Sequence, residues 1–305
     1  MKKILVSLIT YNNHDKTHEC IDSLQKSVTS GFELHIRIID NHSKTPFVLK
    51  KTYSHIDVTV DISVENRGFS GGHNQNALYA DVINADYFVV LNNDTTVEKH
   101  MIKTLFSALE DDKTIAAVAP KMYFTAGQEY HHTRYSEKDR GKVIWYAGGE
   151  MDWNNVVGKH RGVDIVDAGQ FDQNMKTEFV TGACMMLRTQ LFKSLNGFDE
   201  RYFLYYEDTD LSMRLRNFGS LFFISGAMLW HDNAGSTGGS GSNLQDYFIS
   251  RNRLLFGMQY APLRTKIALV RESFRIARTG RSWQRVGIKD FFKRNFGKGS
   301  YPVSD

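Results

Sequence analysis

Short apolar runs rich in β-branched residues alternate along the first 120 residues with stretches whose apolar positions recur at helical spacing. Residues 4–10, 34–40, 58–64, 87–91 and 115–119 read as strands, and residues 16–27, 72–83 and 97–109 as helices. Such alternation predicts βαβ units around a mostly parallel sheet, an α/β fold. In open sheets of this kind ligands bind beyond the carboxyl ends of the strands, where the loops converge on a crevice. The polar residues follow that geometry. Thr10-Tyr11-Asn12-Asn13 follows the first strand, Asp40-Asn41-His42-Ser43 the second, Glu65-Asn66-Arg67-Gly68-Phe69 the third and Asn92-Asn93-Asp94 the fourth.

Residues 123–142 are polar and lack sustained periodicity, which reads as a surface loop or a lid on the acceptor side. Short strand pieces follow over 143–166, then a buried strand over 179–187 and a helix over 189–195 stopped by Gly197. A helix over 208–217 and a strand over 221–230 complete the pattern, before a run from Ala234 to Ser242 too rich in Gly and Ser to hold one conformation unaided. These features predict a nucleotide-binding and catalytic domain over 1–245 and a basic helical extension over 246–305.

Composition narrows the chemistry mainly by exclusion. Cys20 and Cys184 form no Cys-x-x-Cys pair, so neither a disulfide framework nor a structural zinc site is indicated, and a reducing cytoplasm fits. The apolar start, Ile4 to Thr10, is too short for a membrane span or a secretory signal. No Gly-x-Gly-x-x-Gly follows the first strand and no Gly-Lys-Ser/Thr occurs, against a dinucleotide dehydrogenase and a P-loop enzyme. A nucleotidyltransferase would want a Gly-rich basic loop where Thr10-Tyr11-Asn12-Asn13 stands.

Three groups of residues suit transfer from a nucleotide-linked donor. Asp94 stands after an apolar strand, where a hard oxygen ligand would hold a divalent cation, and His231, directly after the last strand, offers a second ligand. Asn-Asn-Asp is also a common turn sequence, and a lone histidine is often structural. Glu207, Asp208 and Asp210 open a predicted helix behind Tyr205 and Tyr206. Acids there complement a helix dipole, while carboxylates among aromatics also gain the proton affinity of a general base. Asp208 is assigned as the base with Glu207 beside it, and Asp210 as the structural partner of Arg214 four residues on. Asp40 offers an acceptor for the N3–H of uracil or thymine, Arg67 a stacking or phosphate contact, and Arg251 a reach toward the diphosphate.

Taken together these motifs resemble the family 2 glycosyltransferases with the GT-A fold, especially their rhamnosyltransferase-like members. The resemblance covers roughly residues 3–255 and rests on Thr10-Tyr11-Asn12, Ile39-Asp40-Asn41-His42-Ser43, Glu65-Asn66-Arg67-Gly68-Phe69-Ser70-Gly71-Gly72-His73-Asn74, Leu91-Asn92-Asn93-Asp94, Phe179-Val180-Thr181-Gly182-Ala183-Cys184-Met185, Gly197-Phe198-Asp199-Glu200, Tyr206-Glu207-Asp208-Thr209-Asp210-Leu211 and Ser250-Arg251-Asn252-Arg253, in the family's order. It implies an inverting displacement that needs Mn2+ or Mg2+, with Asp94 as the metal acid, His231 as a metal or phosphate contact and Asp208 as the base. Thr10, Tyr11, Asn12, Asp40, Asn66, Arg67, Asn92, Asn93 and Arg251 are implied around the nucleotide-sugar. Asn92 stands where the general Asp-x-Asp motif has its first Asp, which implies a weaker ribose contact and favours dTDP-rhamnose slightly. Other donors implied by the scaffold are UDP-galactofuranose, UDP-glucose and UDP-N-acetylhexosamine, and the acceptor is a glycan or lipid-linked saccharide of cell-surface polysaccharide synthesis. A non-catalytic sugar- or nucleotide-binding module is the rival class, and it would lack the base or the metal acid.

The net charge of +4 hides an asymmetry, because residues 261–305 carry 11 Lys and Arg against 3 Asp and Glu. There Leu263, Ile267, Val270 and Phe274, then Ile288, Phe291, Phe292 and Phe296, fall at helical spacing among the cations. Two readings follow: these faces pack on the catalytic domain, or they lie on the anionic inner face of the cell membrane. Nucleic acid is not expected as a partner, and a homo-oligomer is left open.

Overall fold

The computed structural model describes residues 1–131, 133–232 and 241–302; His132, residues 233–240, which include most of the Gly-rich run, and residues 303–305 lie outside them. The first half folds as β1 (Lys2–Thr10), α1 (His14–Leu24), β2 (Phe32–Asp40), β3 (Asp57–Ile62), α2 (Gly68–Ile83) and β4 (Tyr87–Leu91). β1 pairs in parallel with β2 and β4, and β2 with β3. Every position of β4 is buried, as expected of a central parallel strand covered on both faces.

β5 (Thr95–Val97), α3 (Met101–Asp111), β6 (Ile115–Phe124), β7 (Ile144–Tyr146), β8 (Gly149–Asp152), β9 (Val157–His160), β10 (Met175–Lys176), β11 (Cys184–Arg188), α4 (Thr189–Ser194), α5 (Glu207–Leu215) and β12 (Ser220–His231) follow. The main sheet runs β10-β12-β6-β11-β4-β1-β2-β3. β11 is antiparallel to both β4 and β6, and β12 is parallel to β6. Two reversals cancel, so β12 runs in the direction of β4 and β1. His231 therefore ends on the same sheet edge as Thr10, Asp40 and Leu91.

Two elements start elsewhere than the periodicity predicts. The helix expected from residue 97 begins at Met101, because Thr95–Val97 pairs instead with Leu229–His231 of β12. The helix expected from residue 72 begins at Gly68, where glycines hide the helical pattern. The C-terminal part forms α6 (Asn243–Tyr260), α7 (Leu263–Thr279) and α8 (Ser282–Lys293). α6 buries Leu254, Leu255 and Phe256 in the main core, so it is packed into the catalytic body. Among the described residues no helix is long and apolar enough to cross a membrane.

Candidate active site

Beyond the carboxyl ends of β1, β2 and β4 lies a cavity of about 210 Å³, with Tyr11, Asn41, Asn66, Asn92, Asn93 and Asp94 in its wall. Phe69, Phe203, Leu204 and Leu244 supply apolar surface. Asn41 shapes one side. Its Oδ1 accepts the Arg67 N–H at 2.9 Å, and its Nδ2 donates to Asn66 Oδ1 and the Gly68 carbonyl, each at 3.0 Å. Gly68 is required where it stands: its φ is +67°, and a Cβ would collide with the Phe203 carbonyl. That carbonyl accepts the N–H groups of Phe69 (2.8 Å) and Ser70 (3.3 Å) in the first turn of α2.

On the opposite side Asp94 and His231 meet. His231 Nε2 stands 3.4 Å from Asp94 Oδ1 and 3.3 Å from Asn92 Nδ2, and the Trp145 ring packs on the imidazole at 4.5 Å. Both residues are buried, and Asp94 Oδ1 has no hydrogen-bond partner. A buried carboxylate oxygen without a donor needs a cation or a ligand to be satisfied. A divalent ion with ligands at about 2.0–2.2 Å spans donor pairs of about 3–3.5 Å, which this pair matches. Among the described residues no cluster of three or more His, Cys, Asp or Glu could hold a metal alone. A cation held here would complete its shell with phosphate oxygens and water. Asp232, whose N–H donates to the Asp94 carbonyl at 2.8 Å, is bound by Lys16 at 2.9 Å.

The acidic segment opens α5. Phe203, Tyr205 and Tyr206 before it are all left-handed, with φ of 65°, 68° and 73°. Asn252 on α6 donates to the carbonyls of Tyr202 (2.9 Å), Leu204 (2.8 Å) and Tyr205 (2.9 Å) and so holds this turn. Asp208 accepts the Gly182 N–H at 2.9 Å and the Thr209 N–H at 2.6 Å. Burial raises its proton affinity above the ordinary carboxylate range, and these donors oppose that rise. Burial and then the Asp208 charge hold Glu207 well above that range, with its Oε2 unpartnered. Phe69 links this segment to the cavity, since a Cβ on Gly182 would meet the Phe69 ring at 2.9 Å and Asp208 Cβ at 3.4 Å. The expected Asp210–Arg214 pair is present at 2.8 Å, and Tyr260 also donates to Asp210 at 2.8 Å.

Several expected nucleotide contacts are turned elsewhere. Asp40 is fully buried and its two oxygens accept the N–H groups of Ser43 (2.9 Å) and Phe47 (2.7 Å), so it folds the loop after β2 and does not face a base. Arg67 donates to Glu200 at 3.1 Å in a neighbouring cavity of about 350 Å³. Arg251 is fully buried among the carbonyls of Arg201, Tyr202 and Gly297, out of reach of a diphosphate. Thr10 accepts the Thr17 hydroxyl at 2.9 Å, and Asn12, with φ of 54°, accepts the Lys44 N–H at 2.9 Å; both shape the loop behind Tyr11. Glu207 and Asp208 do not line the main cavity.

Sequence reasoning quoted Asn41, Asn252 and His73 within motifs but gave them no role. Asn41 was visible as the amide beside Asp40 in the cluster after the second strand. His73 lines the cavity floor, is pushed down to about 3 by burial, and shares a hydrogen bond of 2.6 Å with Ser7, so it is neutral. Nothing in a helix sequence marks Asn252 as a loop clamp.

The sequence profile of Glycosyl transferase family 2 matches residues 6–195. The low-salt glycan biosynthesis hexosyltransferase Agl10 of Haloferax volcanii is 24% identical over 202 residues, 66% of this chain and 59% of that protein. The N-acetylglucosaminyl-diphospho-decaprenol L-rhamnosyltransferase of Mycobacterium tuberculosis is 43% identical over 61 residues, 20% of each. The chain thus matches less than two thirds of the length of either relative. The crystal structure of GalNAc-T7 with UDP, GalNAc and Mn2+ superposes with a TM-score of 0.62 at 14% identity, covering 96% of this chain and 58% of that one, which shows a shared fold. By profile and by architecture, the chain belongs to glycosyl transferase family 2 and has the GT-A fold.

Proposed function

We propose that the chain transfers L-rhamnose from dTDP-rhamnose to a hydroxyl of a glycan or lipid-linked saccharide, with inversion, on the cytoplasmic side of cell-surface polysaccharide synthesis. The observation that carries this reading is the pairing of His231 with Asp94, which lines the cavity, together with Asp208 close to Phe69, which lines it too. A divalent cation held by Asp94 and His231 would neutralise the two phosphates of the leaving nucleoside diphosphate. Asp208 takes the proton of the acceptor hydroxyl as that oxygen attacks the anomeric carbon and the bond to the diphosphate breaks. Tyr11 and Asn66 offer a phenol and an amide to the nucleoside, and Asn41 holds Asn66 in place. The mycobacterial relative, a rhamnosyltransferase by name, supports the choice of sugar over UDP-linked hexoses.

A thermal-shift panel of nucleotide sugars with Mn2+ tests the donor, because selective binding raises the melting temperature with affinity. A response to dTDP-rhamnose without one to UDP-sugars is expected; the reverse refutes the donor. Asp208→Asn should retain that binding and lose turnover by about 10²-fold or more. EDTA-insensitive transfer would refute the metal.

A further inference from the structure

α7 is packed on one side and exposes an apolar stripe on another. Its inward side places Thr265, Leu269 and Ser273 in the body of the protein. Its outward side carries Leu263, Ile267 and Phe274, exposed by 73%, 47% and 54%, with Val270 half-buried between them. At helical spacing these four form one stripe along the helix. Phe292 of α8, 50% exposed, stacks on Phe274 with ring centroids 5.9 Å apart and carries the stripe onto the second helix. The two rings line a groove of about 670 Å³ with Ala277, Val286 and Lys289.

Cations border this stripe. Arg264, Arg271, Arg275 and Arg278 follow one flank of α7, and Arg285, Lys289 and Lys293 are exposed on α8. The two acids of these helices are already engaged. Glu272 pairs with Arg253 at 3.0 Å, and Asp290 is buried on Tyr247 and Ser300. Among the described residues Arg264, Arg271, Arg278, Arg285, Lys289 and Lys293 form no ion pair.

We propose that this face of α7 and α8 docks on an anionic lipid surface, with the stripe among the acyl chains near the headgroups and the flanking cations against lipid phosphates. Charge complementarity selects this occupant. A second copy seated on the same face about a two-fold axis would set like-charged flanks against each other. A nucleic acid would pair with the cations but leave the stripe in water. The inference rests on the tail and not on the proposed donor, and it would bring the enzyme to the surface where a lipid-borne acceptor resides.

Sedimentation of the full chain with vesicles of phosphatidylcholine, alone or with phosphatidylglycerol, tests it. Binding to the anionic vesicles only is expected, weakened about fivefold by each of Arg271→Gln and Lys289→Gln and further by added salt. The double variant Ile267→Ser/Phe274→Ser should lose at least about tenfold in binding while melting and turnover of soluble substrates stay at wild-type values, since both positions are exposed. Equal binding to neutral vesicles, or undiminished binding by the double variant, overturns the proposal. So does a dimer that the double variant dissociates, or DNA binding without vesicle binding. Vesicle binding by a chain inactive on dTDP-rhamnose would leave the docking surface intact and refute the donor alone.

Discussion

Replacing Asn252 with alanine removes the donor that holds the backbone ahead of the acidic segment. Its Nδ2 serves the carbonyls of Tyr202, Leu204 and Tyr205, and the loop it ties carries left-handed Phe203, Tyr205 and Tyr206. A non-glycine residue in that conformation costs about 1–2 kcal/mol, so three store roughly 3–6 kcal/mol that the surrounding bonds must offset. Losing the two amide protons shared among these carbonyls and the oxygen that accepts Arg251 Nε–H, at about 1 kcal/mol each, gives a destabilisation of about 3 kcal/mol. For a domain of this size that lowers Tm by roughly 6–12 °C, measurable by calorimetry. Relaxation of the loop also displaces Asp208, and a shift on the order of 1 Å costs about 10²-fold in kcat, assayed well below Tm. Asn252→Asp is the sharper variant. It keeps the oxygen that accepts Arg251 Nε–H at 2.9 Å but turns a second oxygen toward three carbonyls, so it should also melt below wild type, whereas a side chain needed only for packing would tolerate the change. Wild-type melting in either variant would refute the account.

Arg251→Met should destabilise by about 3–5 kcal/mol while Mn2+-dependent nucleotide binding of the folded enzyme stays unchanged; a raised nucleotide Kd with normal Tm would restore a phosphate-binding role. Glu207 is raised in the folded protein, so its contribution to stability is full below the unfolded pKa and is lost as pH rises through the folded one. Melting of Glu207→Gln should therefore match wild type near pH 4 and exceed it increasingly toward neutral pH, and a difference that shrinks with pH would contradict this. Thr209→Val removes a hydroxyl donor 3.1 Å from Asp208 and should move the acid limb of kcat/KM to higher pH, since a base must be deprotonated to act; a shift to lower pH would count against Asp208 as the base.

The strand and helix order was legible because each parallel strand is an apolar run and each loop after it is polar. The same rule identified Asn66, Asn92, Asn93 and Asp94 at the cavity. It failed for Asp40 and Arg67 because position at a strand end does not say which way a side chain turns. Asp40 is consumed by its own loop, and Arg67 by Glu200, 133 residues away in sequence. The antiparallel insertion of β11 carried no local signal, yet it is what brings His231 back to the edge of Asp94. Arg251 read as a phosphate ligand because an Arg-Asn-Arg run looks exposed, and only tertiary packing buries it.

The division of the site between two parts of the chain bears on what similarity can convey. The profile match ends at residue 195, before Asp208, His231 and Asn252. The cavity residues Tyr11, Asn41 and Asp94 fall inside it, whereas the acidic segment and its clamp fall outside. The clamp in turn depends on the tail, because Arg251 is held by the carbonyl of Gly297 at 2.7 Å and Tyr247 donates to Asp290 at 2.6 Å. Helices that present cations outward thus also fix, on their inner side, the loop that aims Asp208. A truncation near Tyr260 would disturb the proposed docking face and the proposed base together, whereas surface substitutions such as Ile267→Ser would test the docking alone.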